Sequence, residues 1–235
     1  MKTIRVNFLP SLLEPVLYLL AMGLGLGGFV QPIEGMPYIN FIAPALVSIS
    51  IMYGSFFECT YASFVRMYYQ KTFDAIVATP VSVEEVIAGE LLWGATRAAA
   101  NSTIVLGVIA AFGLVASPLF ILFPLLSFLG GLMFASLAMC FTAIAPNIDF
   151  FNYPSFLLIT PMFLLSGTFF PLSSLPAPVE LAAQILPLTH VVSLSRGLVS
   201  GTIGAPLLLS LAWIAIATIV FFILSINLMK KRLVK

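Results

Sequence analysis

Long apolar segments alternate along this chain with short segments that carry most of its charge. A membrane-spanning helix needs about 20 mainly apolar residues. Six segments meet that requirement: residues 12–30, 39–62, 91–115, 119–145, 153–170 and 206–229. The pattern predicts an all-α, polytopic membrane protein with six transmembrane helices, in which residues 1–235 form a single transmembrane domain.

The composition leads to the same conclusion. Of the 235 residues, 61% are hydrophobic and 8% are charged, whereas a soluble domain has about 25% charged residues. The net charge of +1 and the scattered basic residues argue against binding to nucleic acid. Cys59 and Cys140 lie in apolar segments without a CxxC spacing, so we interpret them as inert helix residues.

The basic residues indicate the orientation of the predicted helices. Six spans place eight of the ten basic residues on one side of the membrane, and the positive-inside rule makes that side the cytoplasm. Both termini are then cytoplasmic, and Arg196 lies outside. We expect the N-terminal apolar run to be a retained first helix, since no cleavage site follows it. The eight residues are Lys2, Arg5, Arg66, Lys71, Lys230, Lys231, Arg232 and Lys235.

The cytoplasmic connection, residues 66–90, is long and patterned. Phe73, Ile76 and Val77 have the spacing of a short amphipathic helix, which we expect to end near Pro80. Residues 82–85 then form a capping box, in which Ser82 caps a new helix and Glu85 completes the motif. Glu84, Glu85 and Glu90 give the segment a negative face. It is either a solvated loop with a helix at the membrane surface or a docking surface for a soluble partner.

The predicted external connection, residues 171–205, is apolar but broken by prolines. Two short helices, over residues 179–186 and 188–199, are separated at Pro187. Each is too short to cross a bilayer, and such segments are typical of interfacial or re-entrant structure. The sequence therefore predicts a helical hairpin at the outer leaflet.

Little in the chain points to catalysis or metal binding. There is no phosphate-binding loop, and the glycines of residues 23–28 lie in an apolar segment, where they favour close helix packing. His190 is the only histidine, so neither a multi-histidine metal site nor a nucleophile–base pair is predicted. Glu58 and Arg97 are charged residues within predicted spans. They form either an ion pair that holds the second and third helices together or a functional site.

Three segments resemble the membrane subunit of ABC type-2 transporters: residues 68–82, residues 164–171 and residues 186–192. The resemblance covers essentially the whole chain. Residues 10–27, 146–147 and 149–154 are similar to the branch of nodulation-factor (lipo-oligosaccharide) export permeases. The chain departs from the family in its beginning, because only about ten residues precede the first span, where family members have a longer amphipathic helix.

The resemblance implies a permease without catalytic or metal-binding residues, located in the bacterial inner membrane. Two copies would pair and associate with two ATPase subunits, which bind the ATP and magnesium. The permease would export an amphiphile such as a lipo-oligosaccharide, a polysaccharide or a lipid-like drug. The ATPase would couple to residues of the cytoplasmic segment, namely Lys71, Thr72, Phe73, Asp74, Ala75, Thr79 and Pro80.

The external hairpin would shape the exit for the substrate, although its aromatic residues also suit simple anchoring at the membrane interface. Two other functions remain alternatives: an intramembrane lipid-modifying enzyme, and a channel or carrier that does not use ATP. Neither is favoured, because the spans have few polar groups near their middles and the chain has no internal repeat. The expected exit residues are Gly167, Phe169, Phe170, Pro171, Pro187, His190 and Arg196.

Overall fold

A bundle of long helices dominates the computed structural model, which describes residues 16–33, 35–202 and 204–233. Lys2, Arg5, residues 10–15 and Lys235, which figure in the predictions above, lie outside the described residues. Within those residues the elements are all helical apart from one isolated bridge between Ile33 and Met36. The described part of the chain therefore has the predicted all-α fold class.

The helices are numbered α1 to α9 in chain order. The first five are α1 (Val16–Leu26), α2 (Tyr38–Tyr69), α3 (Thr72–Val77), α4 (Val83–Ala111) and α5 (Pro118–Ile144). The remaining four are α6 (Ile148–Leu165), α7 (Ala177–Ile185), α8 (Pro187–Ser200) and α9 (Ala205–Leu233).

Four of these helices, α2, α5, α6 and α9, are long and apolar enough to cross a membrane. The pair α7 and α8 would add a fifth if it were one span, but it is bent by 84° at Pro187. Helix α4 has 29 residues, yet Glu84, Glu85, Glu90 and Arg97 lower its apolar content. The protein is thus a multi-pass membrane protein.

Helix α4 lies at the centre of the fold. It packs against both α2 and α5, which also contact each other, and α9 packs on the other side of α5. Close approach of α4 and α5 depends on Gly131, where a Cβ atom would lie 3.0 Å from Cβ of Ala98 and 3.2 Å from the backbone of Ala95. Small residues therefore mediate packing within the chain, as helices in lipid require.

Contacts between helix termini define two ends of the bundle. At one end Arg232 of α9 donates to the carbonyl of Thr142 in α5 at 2.6 Å, and its guanidinium lies 5.7 Å from the ring of Phe64 in α2. Phe64 contacts Phe151 at the start of α6, with ring centroids 5.5 Å apart. Lys230 pairs with Glu84 at the start of α4. We call this the basic end.

The starts of α2, α5 and α9 meet the ends of α4 and α6 at the opposite end. The hydroxyl of Tyr38 donates to the carbonyl of Phe169 at 3.1 Å. The amides of Ala116 and Ser117 both donate to the carbonyl of Val199 at 3.1 Å. Consecutive long helices from α2 onward therefore run antiparallel, apart from the α7–α8 hairpin between α6 and α9.

Several helix limits differ from the sequence predictions. Helix α2 continues to Tyr69 instead of stopping at residue 62, because no proline or glycine interrupts it after Gly54. Its last turns widen to π-helix at Glu58–Ala62 and Val65–Tyr69. Arg66 thus lies within a helix and not in a loop.

The capped helix at Ser82 and the third span were predicted as separate elements. In the structure they form one continuous helix, α4. The Ser82 hydroxyl accepts from the amide of Glu85, and the Glu85 carboxylate accepts from the amide of Ser82 at 2.7 Å. Nothing between this capping box and residue 91 breaks the helix. It ends at Ala111, before residue 115, because Gly113 turns the chain with a φ of 72°.

The other limits shift by a few residues. Helix α6 begins at Ile148, capped by the side chain of Asn147, and ends at Leu165 before a bend at Gly167, where φ is 72°. Helix α1 ends at Leu26, so residues 27–30 of the predicted span are outside it. Helices α5 and α9 lie within a few residues of their predicted positions, although α9 continues to Leu233.

Candidate functional site

Four charged side chains form one cluster between α2 and α4 near the basic end. Glu58 and Arg66 come from α2, and Glu90 and Arg97 come from α4. Nη1 of Arg66 lies 3.0 Å from Oε1 of Glu58, and Nη2 of Arg66 lies 2.6 Å from Oε2 of Glu90. Nη1 of Arg97 pairs with Oε2 of Glu58. We call these four residues the ion cluster.

The ion cluster is electrically neutral and almost fully hydrogen-bonded on its acidic side. Only 3% of the Glu58 side chain is exposed, and Trp93 donates to its Oε1 at 3.0 Å. The Ser63 hydroxyl donates to Oε2 of Glu90 at 2.6 Å. A buried carboxylate needs such partners, because an unpaired charge in a low-dielectric interior is strongly unfavourable.

The predicted contact between Glu58 and Arg97 is therefore present, but as part of a larger arrangement. Two predictions are corrected here. Arg66, predicted in the cytoplasmic connection, lies within α2, and Glu90, predicted on a negative face with Glu84 and Glu85, pairs with Arg66 in the ion cluster. Glu90 and Arg97 are seven residues apart and share one face of α4, a spacing that the sequence did offer as a signal. The π-helical turns that orient Arg66 gave no comparable signal.

A cleft of about 920 Å³ opens beside the ion cluster. One face of α2 forms most of its wall, and Arg97 and Asn101 contribute from α4. The cleft has aromatic walls and a polar side, a combination that is typical of sites for amphiphilic ligands. No pattern in the sequence predicts this cleft. Its aromatic lining consists of Tyr18, Tyr53, Phe57 and Tyr61.

Helix α3 projects at the basic end, between the last turn of α2 and the first turn of α4. Phe73 is buried, whereas Ile76 and Val77 are each 38% exposed. The expected apolar stripe is thus split: Phe73 anchors the helix to the bundle, and the other two face outward. This division follows from the length of α3, whose six residues allow only one side to face the bundle.

The other predicted coupling residues surround α3 at the surface. Lys71 precedes the helix with a φ of 55°, and its Nζ lies 3.7 Å from Oδ2 of Asp74. Thr79 ends the following turn, its hydroxyl donating to the carbonyl of Ile76 at 2.6 Å. Thr72 is half-buried, and Ala75 and Pro80 are exposed. These residues therefore form one continuous surface.

The first turn of α4 lies beside this surface. Hydrogen bonds from Ser82 hold the pKa of the Glu85 carboxyl below its usual range. The Lys230 ammonium group does the same for Glu84. Both groups therefore keep their negative charge well below neutral pH.

Arg196 holds the external hairpin to the bundle. Its Nη2 donates to the carbonyl of Gly167 at 2.6 Å, and its Nε donates to the carbonyl of Phe41 at 3.3 Å. The guanidinium also lies 3.7 Å from the centre of the Phe41 ring. Arg196 thus joins α8, the bend after α6 and the start of α2.

His190 occupies a separate position on α8. Its ring stacks on Trp213 of α9 at 4.5 Å, and its Nδ1 lies 3.2 Å from the Ser210 hydroxyl. Pro187 is buried at the first turn of α8. The structure therefore does not bring His190 together with Arg196, although both were predicted at the exit.

The aromatic residues of the predicted exit follow the bend after α6. The ring of Phe169 contacts Phe163 edge-on, with centroids 5.0 Å apart. Phe170 and Pro171 are half-buried. The bend is thus packed on α6, and its role at an exit stays a prediction. Among the described residues, no group of three or more histidine, cysteine or acidic side chains is placed to hold a metal ion.

The described residues form a bundle of antiparallel long helices, with the short helix α3 projecting at the basic end, as is typical of a multi-pass membrane protein. Comparison with known proteins specifies its class: residues 1–200 match the ABC-2 type transporter family, and the chain belongs to that family. Membership implies a transport permease that associates with an ABC ATPase subunit.

Individual relatives cover nearly the whole chain. Nodulation protein J of Rhizobium meliloti is 38% identical over 99% of this chain and 88% of its own length. Nodulation protein J of Rhizobium leguminosarum bv. viciae is 36% identical over 100% of this chain and 90% of its own length. The inner membrane transport permease YadH of Escherichia coli is 20% identical over 96% of this chain and 88% of its own length. No solved structure matches the chain.

Proposed function

We propose that the chain is the membrane-spanning subunit of an ATP-driven exporter that moves an amphiphile out of the cytoplasm. The observation that carries the proposal is the connection between α3 and the aromatic cleft. Helix α3 connects the end of α2 to the start of α4. The ion cluster links the same two parts of these helices beside the cleft. A displacement of α3 would therefore be transmitted to the cleft through both α2 and α4.

The proposal includes six membrane crossings. Helix α4 is the third crossing, because it has 29 residues and packs against both α2 and α5. Helix α1 belongs to the first. The 84° bend between α7 and α8 favours a hairpin that enters and leaves the same leaflet. Both termini are then cytoplasmic, in the inner membrane of a bacterium.

Docking of the ATPase subunit at α3 is supported by the surface found there. Asp74 and Lys71 are both more than half exposed, and Ile76 and Val77 offer apolar contacts. Such a mixture of charged and apolar side chains suits a specific protein interface. ATP and magnesium would be bound by that subunit, which we expect in two copies on a permease homodimer.

The cleft and the relatives both support the proposed substrate class. Aromatic walls beside polar groups suit a molecule with an apolar part and a hydroxyl-rich part. The relatives at 36–38% identity are nodulation proteins, which agrees with export of a lipo-oligosaccharide. Passage would end at the external hairpin, held in position by Arg196.

The test is to reverse a charge on α3 without disturbing the core. Asp74→Arg should abolish co-purification of the ATPase subunit, or reduce ATP-dependent export about tenfold, while thermal stability stays unchanged. Glu180 is an acidic residue in the first turn of α7 at the opposite end. Glu180→Arg is therefore the matched control for association, and the ATPase subunit should co-purify with it normally. Full export and normal association in Asp74→Arg would refute coupling at α3.

A further inference from the structure

The outward face of α9 changes from apolar to polar as the helix approaches the basic end. Val220, Ile223 and Leu224 lie on this face and are 53%, 55% and 43% exposed. Asn227 and Lys231 follow on the same face, at the spacing of successive helical turns, and both are exposed. An apolar face that ends in an amide and an ammonium group matches the change from acyl chains to headgroups in a bilayer leaflet.

Packing fixes the orientation of this face. Ser225 and Met229 are buried on the opposite side of α9, against the bundle. Arg232 continues that inner side and donates to the carbonyl of Thr142. The outward face therefore cannot turn into the bundle without breaking these contacts.

The last turn of α9 carries positive charge that its surroundings do not balance. Lys230 pairs with Glu84, and Arg232 binds a carbonyl group, which has no net charge. Among the described residues, neither Lys231 nor Asn227 has a hydrogen-bond or ion-pair partner. The dipole of α9 offsets only about half a unit charge at this terminus. Lys231 and Arg232 thus leave an excess of positive charge that favours an anionic ligand.

We infer that the outward face of α9 binds an anionic phospholipid such as phosphatidylglycerol. Lys231 contacts the headgroup phosphate, and Asn227 donates to an ester carbonyl about 6 Å deeper along the helix axis. The acyl chains lie along Val220, Ile223 and Leu224. A zwitterionic phospholipid offers the same acyl chains but no net charge for the basic turn. This inference does not depend on the export function proposed above.

A second copy of the chain fits this face less well. Two copies that share one orientation in the membrane have Lys231 at the same depth. Packing of α9 against its counterpart around a twofold axis would bring two ammonium groups together. Their repulsion is unfavourable near a low-dielectric medium, whereas a lipid phosphate compensates the charge.

The experiment is native mass spectrometry of the full chain in detergent. Dioleoyl phosphatidylglycerol and dioleoyl phosphatidylcholine are titrated separately, and the first lipid adduct gives a dissociation constant for each. We expect phosphatidylglycerol to bind about fivefold more tightly, which is the effect of one basic residue on an anionic lipid.

Variants assign the preference to the last turn of α9. Lys231→Gln should bind the two lipids equally. Asn227→Leu should weaken both by about threefold, because both lipids have ester carbonyls. Lys71→Gln is the matched control: it removes one charge at the same end, but Asp74 already compensates that charge. The control should keep the full preference.

Equal binding of the two lipids to the wild-type chain would overturn the inference. So would an unchanged preference in Lys231→Gln, or an equal loss in Lys71→Gln, which would show a response to net charge alone. Asn227→Cys reports on the other occupant. Efficient disulfide cross-linking of two copies in membranes would show that a second copy covers the face and would also overturn the site, whereas an absence of cross-linking supports contact with lipid.

Discussion

Glu58 is the residue around which the ion cluster is built. It accepts hydrogen bonds from Arg66, Trp93 and Arg97, three side chains on two helices. A carboxylate with 3% of its side chain exposed is stable only because these donors compensate its lost hydration. At the residue scale, stability at the basic end therefore depends on matched charges.

We predict that Glu58→Gln destabilises the protein. The substitution leaves Arg66 and Arg97 with Glu90 as their one remaining carboxylate, while the amide still fills the space. The expected cost is about 1–3 kcal/mol, reduced by the partial exposure of Arg97, and it is measured as a lower thermal unfolding midpoint in detergent.

Glu84→Gln is the matched control for this prediction. Glu84 also pairs with a basic residue, Lys230, but 40% of its side chain is exposed and that of Lys230 is 54% exposed. Exposed ion pairs contribute little, so the midpoint should not move. Equal midpoints for wild type and Glu58→Gln would contradict the account of the ion cluster.

Helix α4 shows at the element scale how one helix can serve two environments. Its first turns carry the capping box and Glu84 beside α3, and its middle carries the small residues that meet α5. Because it is continuous from Val83, it connects the surface around α3 rigidly to the bundle interior. A separate loop helix, as the sequence suggested, would not transmit movement in this way.

The packing of α4 on α5 leads to a second prediction. Gly131→Leu should lower the thermal unfolding midpoint, with a cost of about 1–3 kcal/mol from overpacking, because a side chain there meets Ala98 and the backbone of Ala95. Gly107→Leu on α4 is the control, since a Cβ at Gly107 meets nothing within 4 Å. A stable Gly131→Leu variant would show that α4 and α5 can separate without loss.

At the scale of the whole molecule, the two ends of the bundle differ in the number of basic residues that they carry. Among the described residues, Lys71, Lys230, Lys231 and Arg232 lie at the basic end, whereas Arg196 lies at the other. Helix α9 supports a membrane location, because only 17% of its most apolar 18-residue stretch is buried. An apolar helix exposed in this way requires lipid or another apolar partner.

The topology gives a prediction for intact cells. Thr79→Cys, after α3, should react with a membrane-impermeant maleimide only after the cells are permeabilised. Ser174→Cys, before α7, should react from outside. Both positions are exposed, and the native Cys59 and Cys140 are buried and should contribute little labelling. Labelling of Thr79→Cys in intact cells would show that α3 lies outside the cell. The ATPase subunit could then not bind α3.

The helical class, the membrane location and the family could all be predicted from the amino-acid sequence. These properties depend on composition, on runs of about 20 apolar residues and on short motifs, all of which are local along the chain. The capping box at Ser82 and the break at Pro187 were predicted for the same reason. The contact of Glu58 with Arg97 followed from the depth of two charges in neighbouring helices.

The tertiary structure alone decided how those helices combine. The inclusion of Arg66 and Glu90 in the ion cluster depends on π-helical turns and on the rotation of α2 against α4, neither of which has a sequence signal. The aromatic cleft arises because side chains four residues apart on α2 face a gap left between helices. Such a gap depends on packing between residues distant in the chain, and local patterns do not encode it.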